Sequence, residues 1–279
     1  VVDAIPELSD MDQVQLNDIV WITPIYVANR KNIFVSLSSS GSEQTNDIEI
    51  KFEVFTADAE QEGSEDEVLH CRGIATLITR DIPKKIHIDL LKARMSKGQL
   101  DANSVYSTYL ESGIKFGPAH QAVKRIFCGD EEAVAHLALP SAISHTLNEY
   151  RMHPSLMDGA LQAAIGLVSD LRSLKNQLSL PFALDSLRLH SGCKQEMYAW
   201  IRHSKTTRPD DKIVKLDIEL CDAEGNVCVQ LRGFSSRTLG PSANPSTLPA
   251  PADSGIVLAS PVWKPVEIQE VNPTDVDQY

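Results

Sequence analysis

Positive charge is scarce in this chain. Its 279 residues hold 26 Lys and Arg against 38 Asp and Glu, a formal net charge of −12. Such a surface repels phosphate backbones, so no nucleic-acid partner is expected, and an anionic membrane is disfavoured too. Long apolar runs are also missing: none approaches the roughly 18 residues of a membrane-spanning helix. The opening stretch VVDAIPELSD has neither the basic start nor the apolar core of a secretion signal, so a cytoplasmic location is expected. The five cysteines (Cys71, Cys128, Cys193, Cys221, Cys228) form no C-x-x-C pair. An odd, scattered set fits reduced thiols better than a disulfide framework or a zinc site. There is no glycine-rich phosphate loop and no His/Cys/Asp spacing suited to a metal, so no metal is expected. What is present is ordinary: 42% hydrophobic and 23% charged residues make a globular balance. The chain opens without methionine and is apolar at once, so it is expected to be a segment of a longer protein.

Residues 14–80 carry four alternating or β-branched runs, VQLNDIVWITPIYV, NIFVSLSSS, DIEIKFEVFTA and EVLHCRGIATLIT, separated by polar clusters. The pattern predicts a meander of about four strands. No long amphipathic helix precedes residue 90, and Leu90–Lys97 is short, so this sheet is expected to lack its covering helix. Residues 99–240 are more complete. A short helix over Ser104–Glu111, with Ser104 as N-cap, leads to a turn at Gly113–Pro118 and strands near 120–128 and 131–139. The segment SLMDGALQAAIGLVSDLRSL, with Pro154 in its first turn, predicts one long buried helix. Four more strands follow, with a tight turn at Asp222–Asn226. After Leu239 a Pro/Ser/Ala linker (Gly240–Ser254) precedes a strand-like tail ending in Trp263-Lys264-Pro265.

The fold class expected is α+β: a double hotdog, in which two antiparallel sheets each wrap a central helix, the first without its N-terminal helix. Its parts are an incomplete first hotdog with its connection (1–98), a second hotdog (99–240), and a linker with an exit strand (241–279).

Within the long helix, Asp158 is surrounded by Leu, Met, Gly and Ala, with Gln162 one turn later on the same face. Two readings stand on the residues alone. A carboxyl in an apolar pocket keeps its proton to higher pH and can act as a general acid. A helical aspartate can equally be a solvated surface residue.

The run His153-Pro154-Ser155-Leu156-Met157-Asp158-Gly159-Ala160-Leu161-Gln162 resembles the His-Pro-x-x-x-Asp-x-x-x-Gln signature of dehydratase domains of modular polyketide synthases. Gly113-Ile114-Lys115-Phe116-Gly117-Pro118-Ala119-His120-Gln121 resembles the family's Gly-x-x-Tyr-Gly-Pro-x-Phe motif. Leu180-Pro181-Phe182, the strand at Asn17–Pro24 and Trp263-Lys264-Pro265 are similar to family segments in the same order, so the resemblance spans residues 14–265. It implies removal of water from a carrier-bound β-hydroxyacyl thioester, giving an α,β-unsaturated thioester. It implies Asp158 as the acid and Gln162 as its orienting partner. His153 and Pro154 would start the helix and shape the pocket. Phe116, Gly117, Pro118, His120, Leu161, Pro181 and Phe182 are the candidate pocket residues; Pro118, Leu161, Pro181 and Phe182 read equally as plain core, and His120 reads as a satisfied structural histidine. No cofactor is implied beyond the phosphopantetheine of an acyl carrier protein. The implied partners are that carrier, other synthase domains in the same chain and a second copy of the domain. Arg202, Lys205 and Arg208 read as ordinary surface, with carrier docking as the other reading.

The chain departs from the family in two places. The family's base sits in His-x-x-x-Gly-x-x-x-x-Pro, which none of the eight histidines satisfies. His70 comes nearest, with Gly73 three residues on, but the spacing is wrong. The family's tyrosine is Phe116 in this chain, which cannot hydrogen-bond, and its phenylalanine is His120. These departures leave two further readings open: an enoyl isomerase or ring-forming cyclase, and a non-catalytic scaffold.

Overall fold

A computed structural model describes residues 12–27, 31–39, 49–57, 67–79, 81–171, 179–205 and 214–238. The Gly240–Ser254 linker, the Trp263-Lys264-Pro265 run and Arg208 lie outside them. Four strands come first: β1 (Asp12–Trp21), β2 (Phe34–Ser39), β3 (Glu49–Thr56) and β4 (Val68–Thr79). Helix α1 (Ile88–Arg94), β5 (Gly98–Asp101), α2 (Ala102–Glu111), β6 (Val123–Cys128) and β7 (Glu132–Ala138) follow. Then come α3 (Pro154–Gln162), β8 (Ser179–Leu189), β9 (Glu196–His203), β10 (Lys215–Cys221) and β11 (Val227–Thr238).

The eleven strands among the described residues join one antiparallel sheet in the order β2-β3-β4-β1-β8-β11-β10-β9-β7-β6-β5. The expected four-strand meander is therefore corrected. β1 pairs with β4 on one edge and β8 on the other, not with β2. It becomes the seam that joins the two halves. A bulge between Asn17 and Val20, with Asp18 at φ 51°, kinks it there.

Alternation sends side chains to two faces. In β9 and β10, Met197, Ala199, Ile201, Ile218 and Leu220 share one face and are fully buried. Tyr198, Trp200, Arg202 and Glu219 share the other. Helix α3 lies on the first face, and small residues let it come close. A Cβ on Gly159 would stand 3.1 Å from Ala122 Cβ, and one on Gly166 would stand 2.6 Å from Ile126 Cγ2. The expected long helix is shorter than its pattern suggests. It ends at Gln162, Ala163–Leu167 tightens into a 3₁₀ turn, and Val168 is extended. The tighter turn keeps Ala163, Ile165 and Gly166 buried against β6 and β7.

The second face is covered by the connection between halves. Ile86, Ile88 and Leu91 pack on Val134, Cys221 and Val227. The β10–β11 turn anchors it: Ile86 N–H donates to Gly225 O at 2.8 Å, and Gly225 has φ 82°. A side chain at Gly225 would collide with Ile86 O. On the same face Glu219, 9% exposed at its side chain, accepts from Arg202 at 3.1 Å and from Arg232 and Gln230. Arg202 also stacks on Trp200, 4.0 Å from the ring centroid.

The first four strands carry their own apolar face, including Leu16, Leu37, Phe52 and Ala75. Phe52 fills the space above Gly73, where a Cβ would stand 2.6 Å from its ring. Among the described residues, the helices pack on the β5–β11 half.

Candidate active site

The site is built where α3 meets the Gly117–Gln121 turn. Pro154 occupies the first helical position, where its missing N–H costs nothing. His153 is the N-cap: its Nδ1 accepts from Ser155 N–H at 3.2 Å. Its Nε2 lies 3.0 Å from Thr146 Oγ1, whose own hydrogen goes to Ile143 O. The ring is thus the Nε2–H tautomer, with both nitrogens satisfied. Burial, then the neighbouring His120, lowers its pKa, against the pull of Glu149. His153 is a neutral structural cap with no free nitrogen for catalysis.

Ser155 Oγ donates to Ala119 O at 2.6 Å and ties the helix start to a 3₁₀ turn over Pro118–His120. His120 N–H closes that turn on Gly117 O at 2.9 Å, and Gln121 Nε2 holds Phe116 O at 3.0 Å. The turn brings His120 to Asp158: Nδ1 stands 3.0 Å from Oδ2. Gln162 Nε2 donates to the same oxygen at 3.0 Å and to His120 O at 3.0 Å. Among the described residues Asp158 Oδ1 receives no hydrogen bond.

The pocket of Asp158 is more polar than its sequence neighbours suggest. Its side chain is 35% exposed and that of His120 48%. Leu156 and Ala160 point into the core instead, fully buried. The apolar residues flanking Asp158 in sequence occupy other faces of the helix, so they do not cage it.

Two residues missed by sequence reasoning complete the arrangement. Tyr106 and Tyr109 lie on α2, whose N-cap is Asp101, not the expected Ser104. Asp101 Oδ1 accepts from Ser104 N–H at 2.8 Å, so the helix starts earlier. Val123 N–H donates to Tyr106 Oη at 2.9 Å, which directs the phenol hydrogen to Gln162 Oε1 at 3.2 Å. That bond sets the amide orientation and aims Nε2 at Asp158. Tyr109 Oη donates to Gln162 O at 2.7 Å. Burial, more than the nearby Asp158 charge, raises both phenols, with an opposing effect on Tyr106 from the Val123 bond; Tyr106 is pushed up to about 12. Both stay neutral donors. The signal available in the sequence was the i, i+3 pair of tyrosines on a short helix.

Phe116 packs edge-on against Tyr106 and Tyr109, with centroids 6.1 and 5.1 Å away. It joins the support of Gln162. Gly117, Pro118 and Pro154 are exposed, and Leu161 packs partly buried against the main core. Pro181 and Phe182 sit in β8, with Pro181 opposite Ser236 of β11. No hydrogen bond or ring contact among the described residues joins them to Asp158. His70 is satisfied elsewhere, 2.9 Å from both Thr56 Oγ1 and Thr23 O. Arg202 is engaged with Glu219 and Trp200, while Lys205 is exposed. A cleft of about 660 Å³ under residues 81–94, touching Trp200, Glu219 and Gln230, belongs to the opposite face of the sheet. Among the described residues no His, Cys, Asp or Glu group is placed to hold a metal, and no helix is long and apolar enough to cross a membrane.

Comparison with known proteins places this geometry. Residues 92–246 match the family model "Polyketide synthase dehydratase N-terminal domain". The chain is 37% identical to polyketide synthase PksN of Bacillus subtilis over 94% of its length, and 35% identical to PksL of the same organism over 84%. It spans 5% of the length of each. Among solved structures it is similar to a trans-AT PKS dehydratase domain from Brevibacillus brevis, with 32% identity and a TM-score of 0.74, covering 86% of this chain and 80% of that one. The dehydratase domain from the CurF module of curacin polyketide synthase shares the fold, with a TM-score of 0.69 at 21% identity, covering 84% of this chain and 78% of that one. The fold is the double hotdog of those domains, and the chain belongs to the polyketide synthase dehydratase family.

Proposed function

We propose that this chain removes water from a β-hydroxyacyl thioester held on the phosphopantetheine arm of an acyl carrier protein. The observation that carries the proposal is Asp158, held at Oδ2 by Gln162 and His120, with Oδ1 left to a substrate. Family membership supplies the reaction class, a carbon–oxygen lyase.

The chemistry follows from what the substrate needs. The thioester carbonyl acidifies the α-carbon, and a general base takes that proton. The C–H electron pair becomes the new double bond. Hydroxide leaves poorly, so Asp158 protonates the β-oxygen as the C–O bond breaks, and water departs. Gln162 holds the carboxyl in place through both events. Help of this kind is typically worth about 10²–10⁴-fold per group. The family's base motif is not found in this sequence, and neither His120 nor His153 is assigned as that base. Phe116, Gly117, Pro118, His120, Leu161, Pro181 and Phe182 are proposed to border the acyl chain. His153 and Pro154 are proposed to set the helix start beneath it. The reading needs no metal or bound cofactor. Its partners are the carrier protein, other synthase domains in the same chain and a second copy of the domain, in the cytoplasm.

The test is mass spectrometry of a β-hydroxyacyl carrier protein incubated with the chain in its parent synthase. Loss of one water from the carrier-bound acyl group supports the reading. An acyl group of unchanged mass, with the synthase otherwise competent, overturns it.

A further inference from the structure

The contact between His120 and Asp158 joins residues 38 apart in sequence. It occurs where the related motif carries phenylalanine, a side chain with no proton to share. We propose that His120 and Asp158 hold one mobile proton between them across neutral pH, His120 being the positioning residue that keeps the acid supplied. This rests on the assignment of Asp158 as the proton donor.

The geometry dictates how the pair works. Nδ1 lies 3.0 Å from Oδ2, and Gln162 Nε2 donates to the same oxygen. Nδ1–H can therefore donate to Oδ2 in two forms of equal proton count. In one the extra proton sits on Nε2, giving an imidazolium beside a carboxylate. In the other it sits on Oδ1, giving a neutral imidazole beside a carboxylic acid. The second form is the one that protonates a leaving hydroxyl. Delivery leaves a carboxylate and a neutral imidazole, with the β-oxygen gone as water and the α-proton on the general base. Water carries the proton between the two forms, leaving it on Nε2 or on Oδ1, because both side chains reach solvent, 48% exposed for His120 and 35% for Asp158.

The surrounding groups favour this arrangement. From α2, Tyr106 and Tyr109 stay neutral. At the start of α3, His153 is kept neutral, burial being the first cause and the His120 charge the second. Glu149, in the 3₁₀ turn Ser141–Glu149, acts on His153. No second cation in this set competes for the Asp158 carboxylate. The hydrogen bond to Asp158 raises the His120 pKa above its ordinary value, against partial burial.

Two measurements on the full chain test the proposal separately from the reaction assignment. The first is the NMR titration of the His120 ring in wild type and in Asp158→Asn. The midpoint is expected to fall toward an ordinary histidine in the variant; an unchanged midpoint overturns the shared proton whatever the protein catalyses. The second is the pH profile of water loss in His120→Phe and His120→Asn. Each variant is expected to lose about tenfold or more in kcat at neutral pH with KM unchanged, and much less at acid pH, so that the basic limb moves down. Asparagine keeps a donor toward Oδ2 but carries no ionisable proton. A wild-type basic limb and rate in His120→Asn would reduce His120 to a plain hydrogen-bond donor and overturn the proposal. Absence of water loss in wild type with a shifted His120 midpoint would instead fail the reaction assignment alone.

Discussion

At the scale of single residues, the site is a chain of donors with defined directions. Val123 N–H fixes Tyr106, Tyr106 fixes Gln162, and Gln162 fixes Asp158. Tyr106→Phe breaks this chain at its root and leaves the Val123 amide without its acceptor. It is expected to cost about 1–3 kcal/mol in urea unfolding and to lower kcat with little change in KM. The two site histidines act on stability with opposite signs. His120 has a raised pKa, so its contribution is full below the unfolded value and is lost as pH rises through the folded one. His153 has a lowered pKa, so its contribution holds above the unfolded value and is lost as pH falls toward the folded one. Thermal melts from pH 5 to 8 should show His153→Asn flattening the acid side, because asparagine caps the helix without charging. The contact between Asp158 and Gln162 was legible because residues four apart on a helix share a face. The His120 contact was not, since no local spacing reports a neighbour 38 residues away.

At the scale of elements, α3 shows how much a hydrophobic pattern can say. Its periodicity marks a buried helix, and the structure has one, packed against an antiparallel sheet. Its length is not legible in the pattern, because Ala163, Ala164 and Gly166 suit a tighter 3₁₀ turn as well as an α-helix. Gly166 fits under Ile126 only because it has no side chain. Gly166→Ala should therefore destabilise the protein by about 1–3 kcal/mol, against a usual helix gain for alanine. A denaturation midpoint equal to or above wild type would show that the sheet yields there. The strand runs were also legible, because alternation fixes what faces inward. The place of β1 was not, because neighbours in sequence need not be neighbours in a sheet. β1 alternates Val14 and Leu16 with Gln13 and Gln15, a pattern that suits either edge or seam.

At the scale of the whole molecule, the β1–β8 seam makes one sheet of two halves, with α3 on one face and the 81–95 connection on the other. Glu219 anchors that second face. Burial alone would raise its carboxyl, but hydrogen bonds from Arg232 and Arg202 and their charges hold it below the ordinary range. Its contribution is present above the unfolded value and lost as pH falls through the lower folded one. Glu219→Leu leaves two arginines without their partner and should cost about 3–5 kcal/mol, whereas replacing Arg202 and Arg232 as well should recover much of the loss. Neither change touches Asp158, so turnover per folded molecule should hold, which separates stability from chemistry. The central claim is that Asp158 delivers the proton on which water leaves. Its most direct test is the rate of water loss from a carrier-bound β-hydroxyacyl group by Asp158→Asn in the parent synthase, with folding checked by circular dichroism. The expected result is a loss of about 10²–10⁴-fold with the fold intact; a folded variant that removes water at the wild-type rate would contradict it.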